Sequence, residues 1–410
     1  MKYLLVIGDG MADNPVPALD GKTPLQVAKK PVLDRLTADG TLDLVRTVPV
    51  GMPAGSETAI LAILGCDPAT YFTGRSPMEA AAAGLPLVDG DVAFRCNLMS
   101  YEDTTELPLA QRKMRSYNAA SVEGQDALDL VDALLADERF VAVMKKANME
   151  LHKFPMFRQI VVQHEADISG ITFFPPQDHQ GEPCGDFYPC GNERAEVFCE
   201  LMRLSNEILQ DHPVNQRRRA EGMVPANGIW FWGQGTTPNL PTFESQYGMQ
   251  GAVVSGTSLC KGIGILRGMD VPEVEGANGE LNTNYEGKVD WTWKKLQEYD
   301  FACVHVEAPD ECSHARNLEE KLEAIELLDS RVIAPLVDKL EKNGEDFRIL
   351  VLSDHKTFVT TGGHHGDPVP YLIYDSRKKT GCGKTFDEPT GEQGVFLADG
   401  SKLLDVLFEK

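Results

Sequence analysis

The chain has 410 residues, 42% of them hydrophobic and 25% charged, with 62 acidic against 39 basic side chains and a net charge of −23. Single cores stop growing near about 250–300 residues, so more than one domain is expected. The acidic balance argues against nucleic acids and anionic membranes as partners, because phosphate groups are held by Lys and Arg. No run approaches about 18 consecutive apolar residues, so no transmembrane helix is expected. Nine scattered cysteines without a CxxC pair read as reduced thiols of a cytoplasmic protein.

In chain order, KYLLVIG (2–8) is a short apolar run ended by Gly, which predicts a buried parallel strand rather than a signal peptide. Helical spacing follows over 24–39 and stops at Gly40. A second apolar run, LDLVRTVPV, leads into MPAGSETAILAILGCDP (52–68), where a helix is expected over 57–65. Ser56 at its mouth is either a cap or a group placed among free N–H donors at the positive end of the helix dipole. Residues 101–187 break the rhythm with an acidic patch, a helix near 122–136 and a Pro- and Gly-rich return. They predict a small α+β insertion that divides a main domain of 1–100 and 188–410. Further strands are expected at NGIWFWG (227–233), GAVVSG (251–256), FACVHVEA (301–308), FRILVLSD (347–354) and VPYLIY (369–374), with helices near 192–211, 288–298 and 317–342. The alternation predicts an α/β fold with a mostly parallel sheet flanked by helices.

Ligands of open α/β sheets sit outside the carboxyl ends of the strands. The residues expected there are Asp9, Ser56, Asp310, His314, Asp354, His355, His364 and His365. Singly, each has a structural explanation as a turn former, a cap or a surface group. Together, carboxylates and imidazoles at one sheet edge form a ligand set for Mg²⁺, Mn²⁺ or Zn²⁺. They exceed the needs of one site, which predicts two cations, and a pair about 3.5–4 Å apart suits in-line displacement at phosphorus. Such cations would also favour the alkoxide of Ser56.

The order Asp9, Ser56, Asp310-x-x-x-His314, Asp354-His355, His364 resembles the alkaline phosphatase superfamily. More closely, GDGMADNPVPALDGKTPL, GSETAILAILGCDP, FTGRSPMEAAAAG, FRCNL, NYEGK and HHGDPVPYLIY resemble archaeal-type, 2,3-bisphosphoglycerate-independent phosphoglycerate mutases, over most of residues 1–100 and 225–375. The resemblance implies an alkaline-phosphatase-like core with two divalent metals, an inserted lid, and no 2,3-bisphosphoglycerate cofactor. It implies a small phosphorylated metabolite as substrate, with 3-phosphoglycerate and 2-phosphoglycerate interconverted. Asp9, Ser56, Asp354 and His355 would hold one metal, and Asp310, His314 and His364 the other. Ser56 would be the phosphorylated nucleophile, and His365 falls outside the ligand pattern. Arg75 in GRSP, and Arg95 with Asn97 in FRCN, would neutralise phosphate oxygens, a task that suits the guanidinium fork. Lys261 in SLCKGIGI would stabilise charge on the transferring group or the leaving oxygen.

Two departures touch the acceptor side. The family's Asp-Arg-Arg-Ala-Gly-Arg run is absent from MSYEDTTELPLAQRKMRSYNAASVEGQD, where Arg112, Lys113 and Arg115 are a loose replacement. The family's Lys-Gly-Thr-Asp is replaced by Glu307-Ala-Pro-Asp310. With GQGTTPNLPTF, these changes resemble a sister group proposed as alternative homoserine kinases, which would use ATP and an amino-acid alcohol. A dinucleotide-binding protein is disfavoured because neither VIGDG nor KGIGILRG completes G-x-G-x-x-G. A metal-binding protein without turnover would have no use for Ser56.

Overall fold

The strands Lys2–Gly8, Phe301–Val306 and Phe347–Leu352 are the structural centre of the site-bearing half of the protein. All three are apolar and almost wholly buried, as strands covered on both faces must be. Lys2–Gly8 lies between the other two and runs parallel to both, with Gly8 opposite Val306 and Ile7 opposite Leu352. Their carboxyl ends therefore reach one edge at the same level. The full sheet has seven strands in the order Phe396–Leu397, Thr41–Val45, Val369–Asp375, Phe347–Leu352, Lys2–Gly8, Phe301–Val306, Gly251–Val254. It is mostly parallel, and Val369–Asp375 alone runs antiparallel to both neighbours.

The computed structural model describes residues 1–410 and divides into two compact units, 1–72 with 238–410 and 73–237. No helix is long and apolar enough to cross a membrane. The second unit has an antiparallel sheet built around Val92–Tyr101, every residue of which is buried. This strand pairs with Met114–Ser116, Arg158–Gln163 and Gly228–Thr236, and Met149–His152 adds to Arg158–Gln163. The helix Glu196–Leu209 contributes Phe198, which packs on Phe94 and Phe231 of the sheet.

The second unit is larger than the 101–187 insertion expected from composition. It also takes in 73–100 and 188–237, so the main domain is not 1–100 with 188–410. The cause is the pairing of Val92–Tyr101 with Gly228–Thr236, in a ladder from Val92 opposite Thr236 to Met99 opposite Gly228. NGIWFWG does form a strand, but in this second sheet. The two strands lie far apart in sequence, so no local pattern marks their pairing.

This unit contains a buried ion cluster. Arg95 donates through Nε to Glu79 at 2.8 Å and through Nη2 to the same carboxylate, while its guanidinium stacks 4.6 Å from the Trp232 ring. Arg75 and Arg158 approach Glu79 at 3.5 and 3.8 Å. Burial alone would raise the Glu79 carboxyl, but the guanidinium of Arg95, helped by Arg158 and Arg75, brings it down to about 2. A depressed carboxyl stabilises the fold above its ordinary pKa of 4.5, and that contribution is lost as pH falls toward about 2. Removing one partner of a buried pair costs about 3–5 kcal/mol. Glu79→Ala is therefore expected to destabilise the chain by about that amount in urea unfolding at neutral pH. A loss below about 1 kcal/mol, the range of an exposed pair, would show that the cluster is effectively solvated.

Candidate metal centre and nucleophile

Each candidate side chain of the first unit is delivered by a sheet end or by the element after it. Asp9 follows Lys2–Gly8, and Asp354 and His355 follow Phe347–Leu352. After Phe301–Val306 the chain turns into the helix Ala308–His314, with Pro309 in its first turn. Asp310 and His314 stand four residues apart there, on one face. Ser56 is the first residue of the helix Ser56–Ile63. His364 lies on a hairpin formed by Lys356–Phe358 and Gly363–His365.

These residues converge as two groups. Asp9, Asp354 and His355 form one and Asp310, His314 and His364 the other, with the ligand atoms of each within 4.8 Å of one another. The first group is buried: Asp9, Asp354 and His355 are each 0% exposed, and Ser56 beside them is 8% exposed. Asp9 Oδ2 lies 2.8 Å from His305 Nε2 and accepts from Ser56 Oγ at 3.2 Å, while its Oδ1 has no hydrogen-bond partner. Asp354 Oδ1 accepts from the backbone N–H groups of Gly10 and His355 at 3.0 and 2.8 Å, while its Oδ2 has none. Each carboxylate is thus tied by one oxygen and presents the other bare. His355 Nε2 lies 3.3 Å from the bare oxygen of Asp354, 3.6 Å from that of Asp9 and 3.1 Å from Ser56 Oγ. Buried, unpaired carboxylate oxygens are costly, and these, with an imidazole nitrogen and a hydroxyl, fit a divalent cation.

In the second group, His314 Nε2 is 3.0 Å from Asp310 Oδ2, His364 Nε2 is 3.4 Å from Asp310 Oδ1, and the two imidazole nitrogens face each other at 2.9 Å. This set also fits a divalent cation. A third acidic group, Glu307, Asp310 and Glu311, adjoins it.

The electrostatics follow from this crowding. Burial, reinforced by the charges of Asp354, Asp310 and Glu307, pushes the Asp9 carboxyl well above its ordinary range. Burial would raise Asp310 too, but His314 and His364 hold it well below. The hydrogen bond to Asp310 raises His314 to about 9, and Asp310 also raises His364 against the effect of burial. Burial lowers His355, and it lowers His305 to about 4.

The other expected site residues lie outside these groups. Lys261, on the helix Ser258–Leu266, pairs with the exposed Glu273 at 2.6 Å. His365 pairs with Asp367 at 3.2 Å and is in neither group. Arg75, Arg95 and Asn97 belong to the second unit. There Arg95 binds Glu79, and Asn97 donates to the Tyr117 carbonyl at 3.0 Å and accepts from Trp232 Nε1 at 3.1 Å. Sequence reasoning missed three residues that matter. His305 links Asp9 to Ser255 Oγ, 3.0 Å from its Nδ1, and its signal was a polar side chain inside an apolar strand. Thr357 contacts both Asp310 and His355, and Arg158 shares Glu79 with Arg75 and Arg95.

The comparisons agree with this chemistry. The sequence pattern of the metalloenzyme superfamily spans residues 1–406. The 2,3-bisphosphoglycerate-independent phosphoglycerate mutase of Methanosarcina barkeri is 40% identical over 99% of both chains, and that of Methanosarcina mazei is 41% identical over 100% of both. A solved Pyrococcus horikoshii structure covers 100% of this chain and 96% of its own, at 30% identity and a TM-score of 0.80. The cofactor-independent phosphoglycerate mutase of Thermoplasma acidophilum covers 100% and 99%, at 25% identity and a TM-score of 0.62. Fold and site therefore define a member of the metalloenzyme superfamily. Within it, the chain belongs to the family of 2,3-bisphosphoglycerate-independent phosphoglycerate mutases.

A cation that takes His314 must displace the proton which Asp310 holds there up to a pH of about 9. Metal affinity is therefore expected to rise from neutral pH toward about 9, with protons released on binding. Calorimetry in buffers of different ionisation enthalpy reads that release directly. An affinity that is flat with pH, with no proton released, would contradict this reading of the His314–Asp310 pair.

Proposed function

We propose that the chain interconverts 3-phosphoglycerate and 2-phosphoglycerate through a phosphoserine at Ser56, with a divalent cation in each of the two ligand groups. The observation that carries this reading is the position of Ser56 Oγ, 3.2 Å from Asp9 Oδ2 and 3.1 Å from His355 Nε2, beside two bare carboxylate oxygens. Asp9, Ser56, Asp354 and His355 would hold one cation, and Asp310, His314 and His364 the other. The mixture of imidazole and carboxylate suits Mn²⁺, Mg²⁺ or Zn²⁺. When bound, the cations supply positive charge for the transferring phosphoryl group and favour the deprotonated serine.

In the first half-reaction Ser56 Oγ attacks phosphorus in line. The Oγ–P bond forms as the P–O bond to the 3-oxygen of the substrate breaks, and the serine's proton is balanced by the one taken up by the freed hydroxyl. In the second, the 2-hydroxyl of the same glycerate attacks phosphorus, Ser56 leaves, and the proton returns to Oγ. No external phosphoryl donor enters, which accords with a cofactor-independent route.

The second unit is assigned the tasks of a lid and an anion clamp. The guanidiniums of Arg75, Arg95 and Arg158 gather at Glu79, and their forked donors suit a phosphate or carboxylate. Exclusion of water keeps the phosphoserine from hydrolysis, which would make the enzyme a phosphatase. Lys261 is assigned to the leaving oxygen, a role that requires it to exchange its present partner, the exposed Glu273, for the substrate. The homoserine-kinase reading rests only on local departures such as Glu307, and the named relatives over the full chain are mutases.

The test is a ³¹P NMR time course with Mg²⁺ in parallel tubes of 3-phosphoglycerate and of ATP with homoserine. A growing 2-phosphoglycerate signal in the first tube is expected, with Ser56→Ala slower by at least about a thousandfold yet still binding metal. Phosphohomoserine in the second tube with no change in the first would overturn the mutase reading. A Ser56→Ala enzyme that keeps most of its rate would overturn the covalent route.

A further inference from the structure

One hydroxyl touches both ligand groups. Thr357, on the strand Lys356–Phe358, is fully buried and stands directly across the hairpin from His364. Its backbone is locked: its N–H donates to the Ala12 carbonyl at 3.1 Å, and its own carbonyl accepts from Lys321 Nζ at 2.6 Å. That amine is held in turn by the buried Asp13 at 2.8 Å. Thr357 Oγ1 donates to Asp310 Oδ1 at 2.5 Å and lies 3.1 Å from His355 Nδ1. Gly10, at φ +58°, closes over this contact. A Cβ there would come within 2.5 Å of Asp310 Oδ1 and 2.6 Å of Thr357 Oγ1, so neither a side chain nor a water fits between them.

A hydroxyl carries one proton, and here the carboxylate of Asp310 takes it. Toward His355, Thr357 Oγ1 is then an acceptor, and the neutral imidazole must carry its hydrogen on Nδ1. His355 Nε2 is left with a lone pair. It faces Ser56 Oγ, whose own hydrogen points to Asp9 Oδ2, and the bare oxygens of Asp354 and Asp9. Lone pairs converging from four atoms are what a cation resolves.

We propose that Thr357 is the positioning residue that couples the two cation sites, fixing the tautomer of His355 in one and pinning an oxygen of Asp310 in the other. The proposal rests on the two-cation reading given under Proposed function. Partners that orient metal ligands typically change affinity about 10–100-fold when removed. Loss of the hydroxyl is therefore expected to weaken both sites, although Thr357 itself ligates neither.

The test is calorimetric titration of Mn²⁺ into the metal-free full-length chain and its Thr357→Val and Thr357→Ser variants. The wild type is expected to bind two ions. Thr357→Val is expected to bind both about tenfold more weakly or worse, and Thr357→Ser to recover most of that loss. Thr357→Ala serves the same purpose if the valine variant does not fold. A hydroxyl-free variant that binds both ions like the wild type, or loses affinity at one site only, would overturn the coupling. So would a serine variant as weak as valine, which would assign the effect to packing. A wild type that binds fewer than two ions would instead overturn the two-cation reading itself.

Discussion

Asp9, Asp310 and Asp354 lie together at one edge of the first sheet, each nearly inaccessible to water. Desolvating a single carboxylate costs several kcal/mol, and placing several together adds mutual repulsion. The repulsion is visible in Asp9, whose carboxyl is driven well above its ordinary range. Sheet topology makes the crowding unavoidable, since three adjacent strands running in one direction end at the same level. Only part of the negative charge finds a partner within the protein. Backbone N–H groups, His305 and Thr357 engage one oxygen of each carboxylate, and the other oxygens of Asp9 and Asp354 stay bare. The arrangement fits cations, and Ser56 beside it is the proposed nucleophile.

The two units place opposite charges. The first concentrates carboxylates and imidazoles; the second gathers three guanidiniums around Glu79. A strongly acidic net charge does not exclude an anionic substrate, because the field at a site is set by the groups nearest to it.

The active edge was legible in the sequence because strand ends are. A short apolar run followed by Asp or His is a local pattern, and Asp9, Asp310 with His314, and Asp354 with His355 all announce themselves that way. The separation of the candidate ligands into two groups followed from a resemblance, and local spacing alone left it open. Three things were hidden for a common reason, namely that they depend on partners distant in sequence. The second unit begins at residue 73 because Val92–Tyr101 pairs with Gly228–Thr236, and no local pattern announces a partner so far along the chain. Arg95 looks in sequence like an open phosphate ligand, yet it is already bound to Glu79. His305 and Thr357 resemble an ordinary strand residue and an ordinary hairpin residue until the fold brings Asp9 and Asp310 to them. Strand direction was equally silent: VPYLIY reads as a strand in either sense, and it runs antiparallel.

The central claim is that the bare buried oxygens of Asp9 and Asp354 beside Ser56 belong to one cation site, and that Asp310, His314 and His364 form a second. Anomalous diffraction from Mn²⁺-loaded crystals of the full chain tests it most directly. The account predicts two peaks, one touching Asp9 Oδ1, Asp354 Oδ2 and His355 Nε2, the other touching Asp310, His314 and His364. A single peak, or manganese bound away from both groups, would contradict it.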